Sequence, residues 1–240
     1  MRSVVAAVLV PVVVIFLIGP YTFLPSLLEY GVARDVQARL GAEEQPAVEL
    51  KSDPPLKMLA GEFSGGRIVM KNTDLGQVKA RRVRIDLDPF DINVWATMKS
   101  GDVVAREPLS GALRVDVSEA EVSRLARAKS EIPIRGVDVQ EGGVVVRSEV
   151  SALGTRFPVS IEGDPGLQDG KLIFKPEDLT AAGIQVPDDL ADRLLTGTHF
   201  EYPLDRLPYQ IRITGVETEG GRLVLSGRLP SIPLAAYPGG

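Results

Sequence analysis

Gly111-Ala112-Leu113-Arg114-Val115-Asp116-Val117-Ser118-Glu119-Ala120-Glu121-Val122 is a strand that runs without a loop into a capped helix. Leu113, Val115 and Val117 alternate with Arg114 and Asp116, the two-residue period of a half-buried strand. Ser118 and Glu121 stand in capping-box positions: the serine can accept from the N3 amide and the glutamate can reach back. The helix runs to about Lys129 and places Val122, Leu125 and Ala126 on one face.

The same alternation fills the chain on both sides. Upstream, Val48–Lys51 and Arg67–Asn72 read as strands, with a helical turn at Leu56–Leu59 between them. In Val78–Asp88, Val83, Ile85 and Leu87 point one way while Arg82, Arg84, Asp86 and Asp88 point the other. Downstream, Ile134–Val139, Glu141-Gly142-Gly143 and Val144–Val150 predict a hairpin, as do Tyr209–Val216, Glu219-Gly220-Gly221 and Arg222–Leu229. The likeness of these hairpins fits either an ancient duplication or common turn chemistry. Thr155–Glu162, a turn at Gly163-Asp164-Pro165-Gly166, and Lys171–Phe174 lie between them, and Pro187–Leu195 predicts a short helix. The fold class is therefore α+β: antiparallel sheet with a few amphipathic helices.

The N-terminus differs in kind. Ser3–Leu28 carries no charge, and as a helix it would span about 39 Å against a hydrocarbon core of about 30 Å. Arg2 precedes it, which by the positive-inside rule directs the remainder across the membrane. The segment 1–28 is read as a signal anchor or a signal peptide, with a buried core helix the third reading; Gly31-Val32-Ala33 is a late and poor cleavage site. Residues 29–46 follow as an amphipathic helix, with Leu28, Val32, Val36 and Leu40 on one face, and a polar linker. Residues 47–240 form the β-rich domain. The expected location is the extracytoplasmic face of a cell membrane.

Composition narrows the function. The chain has no cysteine, which excludes disulfides and thiolate metal sites. A net charge of −5 and a single tryptophan argue against nucleic acid. The one histidine, His199, excludes multi-histidine metal centres and reads as structural. Asp86/Asp88 and Asp188/Asp189 read as a solvent face and a helix start. No nucleophile elbow or phosphate loop occurs. No catalytic residue, metal or cofactor is expected. The cations Lys79, Arg81, Arg82 and Arg84 either meet phosphate or pair with acids such as Asp86 and Asp88.

Taken in order, the apolar segment and helix, Pro55-Leu56-Lys57-Met58-Leu59-Ala60-Gly61-Glu62-Phe63, the strand Val78–Asp88, Gly111–Val122, Asp169-Gly170-Lys171-Leu172-Ile173-Phe174-Lys175-Pro176 and Leu223–Leu229 resemble the LmeA family of actinobacterial envelope phospholipid-binding proteins. The resemblance covers roughly residues 25–235. It implies a tubular lipid-binding-like fold, a curved antiparallel sheet wrapped around one or two helices. It also implies binding of anionic phospholipid such as phosphoinositide, and support for mannosylated envelope lipid synthesis beside an envelope glycosyltransferase, without being that transferase. On that reading Val83, Ile85, Leu87, Leu113, Val115, Val117, Val122 and Leu125 line an apolar groove, with Lys79, Arg81, Arg82 and Arg84 near the headgroup. The competing reading is a scaffold that holds an envelope enzyme by protein contacts; a hydrolase built on His199 is a third.

Overall fold

The computed structural model describes residues 29, 33, 44–100, 103–129, 133–152, 155–187, 200–204, 207 and 210–232. The apolar segment 1–28, most of the helix after it, His199, and all but the first residue of the expected helix Pro187–Leu195 lie outside these residues. Glu29 and Ala33 are helical, as the periodicity predicts. Among the described residues, no helix is long and apolar enough to cross a membrane.

Antiparallel strands dominate. Six strands hydrogen-bond in the order β1 (Ala47–Lys51), β3 (Gly65–Asp74), β4 (Lys79–Leu87), β6 (Leu109–Ser118), β14 (Arg222–Ile232), β13 (Arg212–Thr218). A second sheet has the order β11 (Ile184–Gln185), β10 (Lys171–Ala181), β9 (Thr155–Gln168), β8 (Gly143–Ala152), β7 (Ile134–Gln140), with β12 (Phe200–Pro203) also on β10. The two-residue strands β2 (Glu62–Phe63) and β5 (Phe90–Asp91) pair separately. Among the described residues beyond Ala33, the helices are α1 (Lys57–Ala60), α2 (Val94–Ser100) and α3 (Glu119–Lys129). The chain divides into two compact units, one of residues 1–70, 85–111 and 231–240, the other of residues 71–84 and 112–230.

In the first unit β1 lies on β3 with Ala47 opposite Val69, and Glu29 Oε1 accepts the Leu50 N–H at 3.2 Å. Phe63 stacks on Phe90 with ring centroids 4.9 Å apart, which fixes β2 on β5. Helix α2 was not legible as an amphipathic repeat, because none of its residues is buried. It starts where Asn93 Oδ1 accepts the Ala96 N–H at 3.0 Å, an N-cap.

In the second unit both expected hairpins form, β7 with β8 and β13 with β14, each with a register shift just before its glycine, Gly136 or Gly215. Their turns touch: the Gly142 N–H donates to Thr218 Oγ1 at 3.0 Å. The expected turn at 163–166 does not exist. Strand β9 runs straight through it to Gln168, and the chain reverses at Asp169 and Gly170, both at positive φ (49° and 73°). Gly163 is small for another reason. It faces Pro176 at the bulge of β10, where a Cβ would lie 2.1 Å from the Lys175 carbonyl oxygen. Proline is tolerated in β10 because it sits at that bulge.

The capping box forms by half. Glu121 N–H reaches Ser118 Oγ at 3.4 Å, but the Glu121 carboxylate turns to the Lys79 N–H (2.8 Å) and the Arg124 guanidinium (2.6 Å). One of these partners is the Arg124 guanidinium, a charged donor that outcompetes the backbone amide the carboxylate was expected to meet.

Candidate functional site

The second unit holds a partly open apolar pocket with a cavity volume of about 80 Å³. Val122 and Ala126 of α3 form one wall. Ile134 and Val137 of β7, Val144 and Val146 of β8, and Ile161 and Pro165 of β9 form the opposite one. Leu172, Ile173, Phe174 and Pro176 of β10, with Leu223 of β14, close it. The pocket exists because the facing layers carry short side chains: five of the positions named are valine or alanine where leucine or phenylalanine would fill the gap. Around it Ala126, Val137, Val144, Val146, Ile161 and Leu179 form one buried cluster.

Its chemistry is one-sided. The volume exceeds the roughly 10–15 Å³ that one water requires, yet no lining side chain offers a hydrogen bond. An apolar ligand is the occupant such a surface favours. Among the described residues no three His, Asp or Glu side chains gather as a metal site.

The expected groove residues distribute differently. Val122 is on the pocket wall. Val83, Leu113, Val115, Val117 and Leu125 are buried in the second unit, and Ile85 and Leu87 in the first, none of them lining this pocket. Their strict alternation is that of core positions packed to completion, with Val83, Val115 and Val117 each 1 % exposed. The pocket residues from Ile134 to Pro176 lie in strands that the sequence shows clearly. Short apolar residues in a strand look the same whether they face a neighbour or a void.

Lys79, Arg81 and Arg82 are exposed and Arg84 is half-buried. The acids that could have neutralised them are engaged elsewhere: Asp86 pairs with Arg67 at 2.6 Å, and Asp88 accepts from Ser110 Oγ at 2.6 Å. The Arg84 Nε is buried without a hydrogen-bond partner among the described residues. Through Glu121 the cationic strand is joined to the pocket wall, since Lys79 is one hydrogen bond from the residue that precedes Val122. Arg124, and then the Lys79 N–H, hold the Glu121 carboxyl below the usual carboxylate range against the opposing effect of burial.

An apolar pocket, with a basic strand anchored to the helix that lines it, suits a lipid with a phosphate headgroup. The sequence matches the family described as LmeA-like phospholipid-binding over residues 20–228. The chain belongs to that family. No curated protein and no solved structure matches it. The LmeA-like family is described by what it binds, a phospholipid, and not by a reaction. In this LmeA-like chain the pocket between α3 and β7–β10 is lined by apolar side chains.

Proposed function

We propose that this chain is a non-catalytic, membrane-associated phospholipid-binding protein on the extracytoplasmic face. In it the pocket between α3 and the β7–β10 sheet takes part of an acyl chain. The observation that carries the reading is the wholly apolar lining of that pocket in a chain of the LmeA-like family. Its volume of about 80 Å³ is well below the roughly 300–1,000 Å³ of pockets that enclose a whole drug-sized ligand. The pocket therefore grips a segment of chain and leaves the headgroup outside. Lys79, Arg81, Arg82 and Arg84 are the cations for an anionic headgroup, phosphoinositides included, with arginine suited to bidentate phosphate contact. The remaining expected groove residues are assigned to packing. A tubular lipid-binding-like arrangement, with a curved sheet around helix α3, accords with the antiparallel sheets. The role that follows is support of envelope lipid or lipoglycan synthesis, beside a glycosyltransferase that does the chemistry.

The test is solvent extraction of the purified chain and of Ala126→Phe, followed by lipid mass spectrometry. Phospholipid in the parent and its loss from a folded Ala126→Phe variant are expected. Equal lipid in both would remove the pocket from the mechanism. A folded parent with no lipid would return the scaffold reading.

A further inference from the structure

The first unit carries four large apolar side chains in water: Leu56 and Leu59 at α1, and Trp95 and Met98 on α2, which are 56 %, 45 %, 77 % and 75 % exposed. Each pair is spaced i, i+3, so each shares one helical face. Helix α2 is seven residues long and buries none of them. A helix that short gains little from its own hydrogen bonds and ordinarily persists by burying an apolar face. Here the Asn93 cap and the junction with α1 hold it instead. That junction is close: Gly61, which ends α1, accepts the Ile92 N–H at 2.8 Å, and a Cβ on it would meet Val94 Cγ2 at 2.9 Å.

We propose that this face, Leu56 and Leu59 with Trp95 and Met98, docks the protein on an anionic phospholipid bilayer by inserting into its interfacial layer. Charge selects the occupant. Lys57 and Lys99 are both exposed, and neither helix contains an acid. Lys57 meets Glu62 at 3.5 Å, but both side chains are half exposed, and such a pair costs little to part. Tryptophan also favours the boundary between headgroup and acyl chain, where its ring is buried and its N–H stays hydrated. Apolar residues flanked by lysine are the pattern of segments that lie in a membrane surface. The docking face is distinct from the pocket, which belongs to the second unit.

Trp95 is the chain's one tryptophan, so its emission reports this face whatever else touches the vesicle. The 240-residue chain is reconstituted with vesicles of phosphatidylcholine and phosphatidylglycerol, with and without acyl-chain bromination. A blue shift and quenching by the brominated lipid are expected, both lost in Met98→Asp and in Leu59→Asp, whose sites are exposed and tolerate charge. Emission that stays water-like while the chain sediments with vesicles would overturn the proposal. So would a blue shift that follows protein concentration and ignores vesicles, since a second copy would then cover the face. Ala126→Phe keeps the shift, so loss of pocket binding and loss of docking are read separately.

Discussion

The backbone N–H of Lys79 donates to Glu121 Oε1 at 2.8 Å, and this bond ties the first residue of β4 to the first turn of α3. The carboxylate is largely buried and also takes two bonds from Arg124, at 2.6 and 2.7 Å. Arg124 Nη2 in turn donates to the Gln77 carbonyl at 3.4 Å, and Tyr202 Oη donates to the same oxygen at 3.0 Å. One acid thus gathers the start of the basic strand, the pocket helix and, through Gln77, strand β12.

Glu121→Gln weakens this junction. The loss expected is about 1.5–3 kcal/mol, the range for hydrogen bonds to a charged group, read as a lower urea midpoint with an unchanged slope. The folded carboxyl titrates below its unfolded value, so its contribution is fully present above the unfolded pKa and is lost as pH falls through the folded one. Parent stability should therefore drop on acidification below the ordinary glutamate value of about 4.3, and the Gln variant should follow a flatter curve there. Parallel curves would assign the acid sensitivity to other carboxylates.

Gly163→Ala places a methyl 2.1 Å from the Lys175 carbonyl oxygen, and that atom belongs to backbone that cannot rotate away. A loss of about 1–3 kcal/mol is expected from the enforced overlap. Gly143→Ala is the control: its nearest neighbour is 3.4 Å away, and a change within about 0.5 kcal/mol is expected. Chemical denaturation of the two variants decides between a crowded bulge and a general intolerance of β-carbons in this sheet.

The strands were legible because their period is local. Val83, Ile85 and Leu87 alternate with charge, and all three are buried. Ala80 breaks the parity. It is buried three positions before Val83, so Arg81 and Arg82 are exposed together instead of being divided between faces. Strand β3 shows the same change, from Ile68 and Met70 to Thr73, across Asn72 at φ 47°. Such a shift depends on what covers each face, which no local pattern carries. The pocket was hidden for a related reason. Val137, Val144 and Val146 are ordinary strand residues, and only the unfilled space in front of them marks a site. Helix α2 had no buried stripe to find, while its exposed Trp95 was visible in the sequence but carried no address.

Arg81→Glu with Arg82→Glu tests the headgroup assignment. Among the described residues neither arginine is ion-paired, so the fold should tolerate the change. A basic residue beside an anionic lipid surface is worth about 1 kcal/mol, and two reversals should cut the preference for anionic over neutral lipid by about tenfold or more. The readout is the headgroup composition of extracted lipid, which reports selection instead of membrane attachment. An unchanged ratio would take these cations out of the binding site.

The pocket separates ligand stabilisation from packing. A ligand that binds the folded state alone raises its stability as RT ln(1 + [L]/Kd), about 2.7 kcal/mol at a hundredfold excess over Kd. Ala126→Leu adds a short branched chain where Ala126 borders free space, so overpacking is slight and its lipid-free stability should lie within about 1.5 kcal/mol of the parent. Added phospholipid should raise the melting temperature of the parent and leave that of Ala126→Leu where it was. The same addition should still stabilise Met98→Asp, whose side chain lies in the first unit. If Ala126→Leu keeps the full lipid-dependent shift, the stabilising lipid sits elsewhere, and the apolar cavity between α3 and β7–β10 is a packing defect with no ligand of its own.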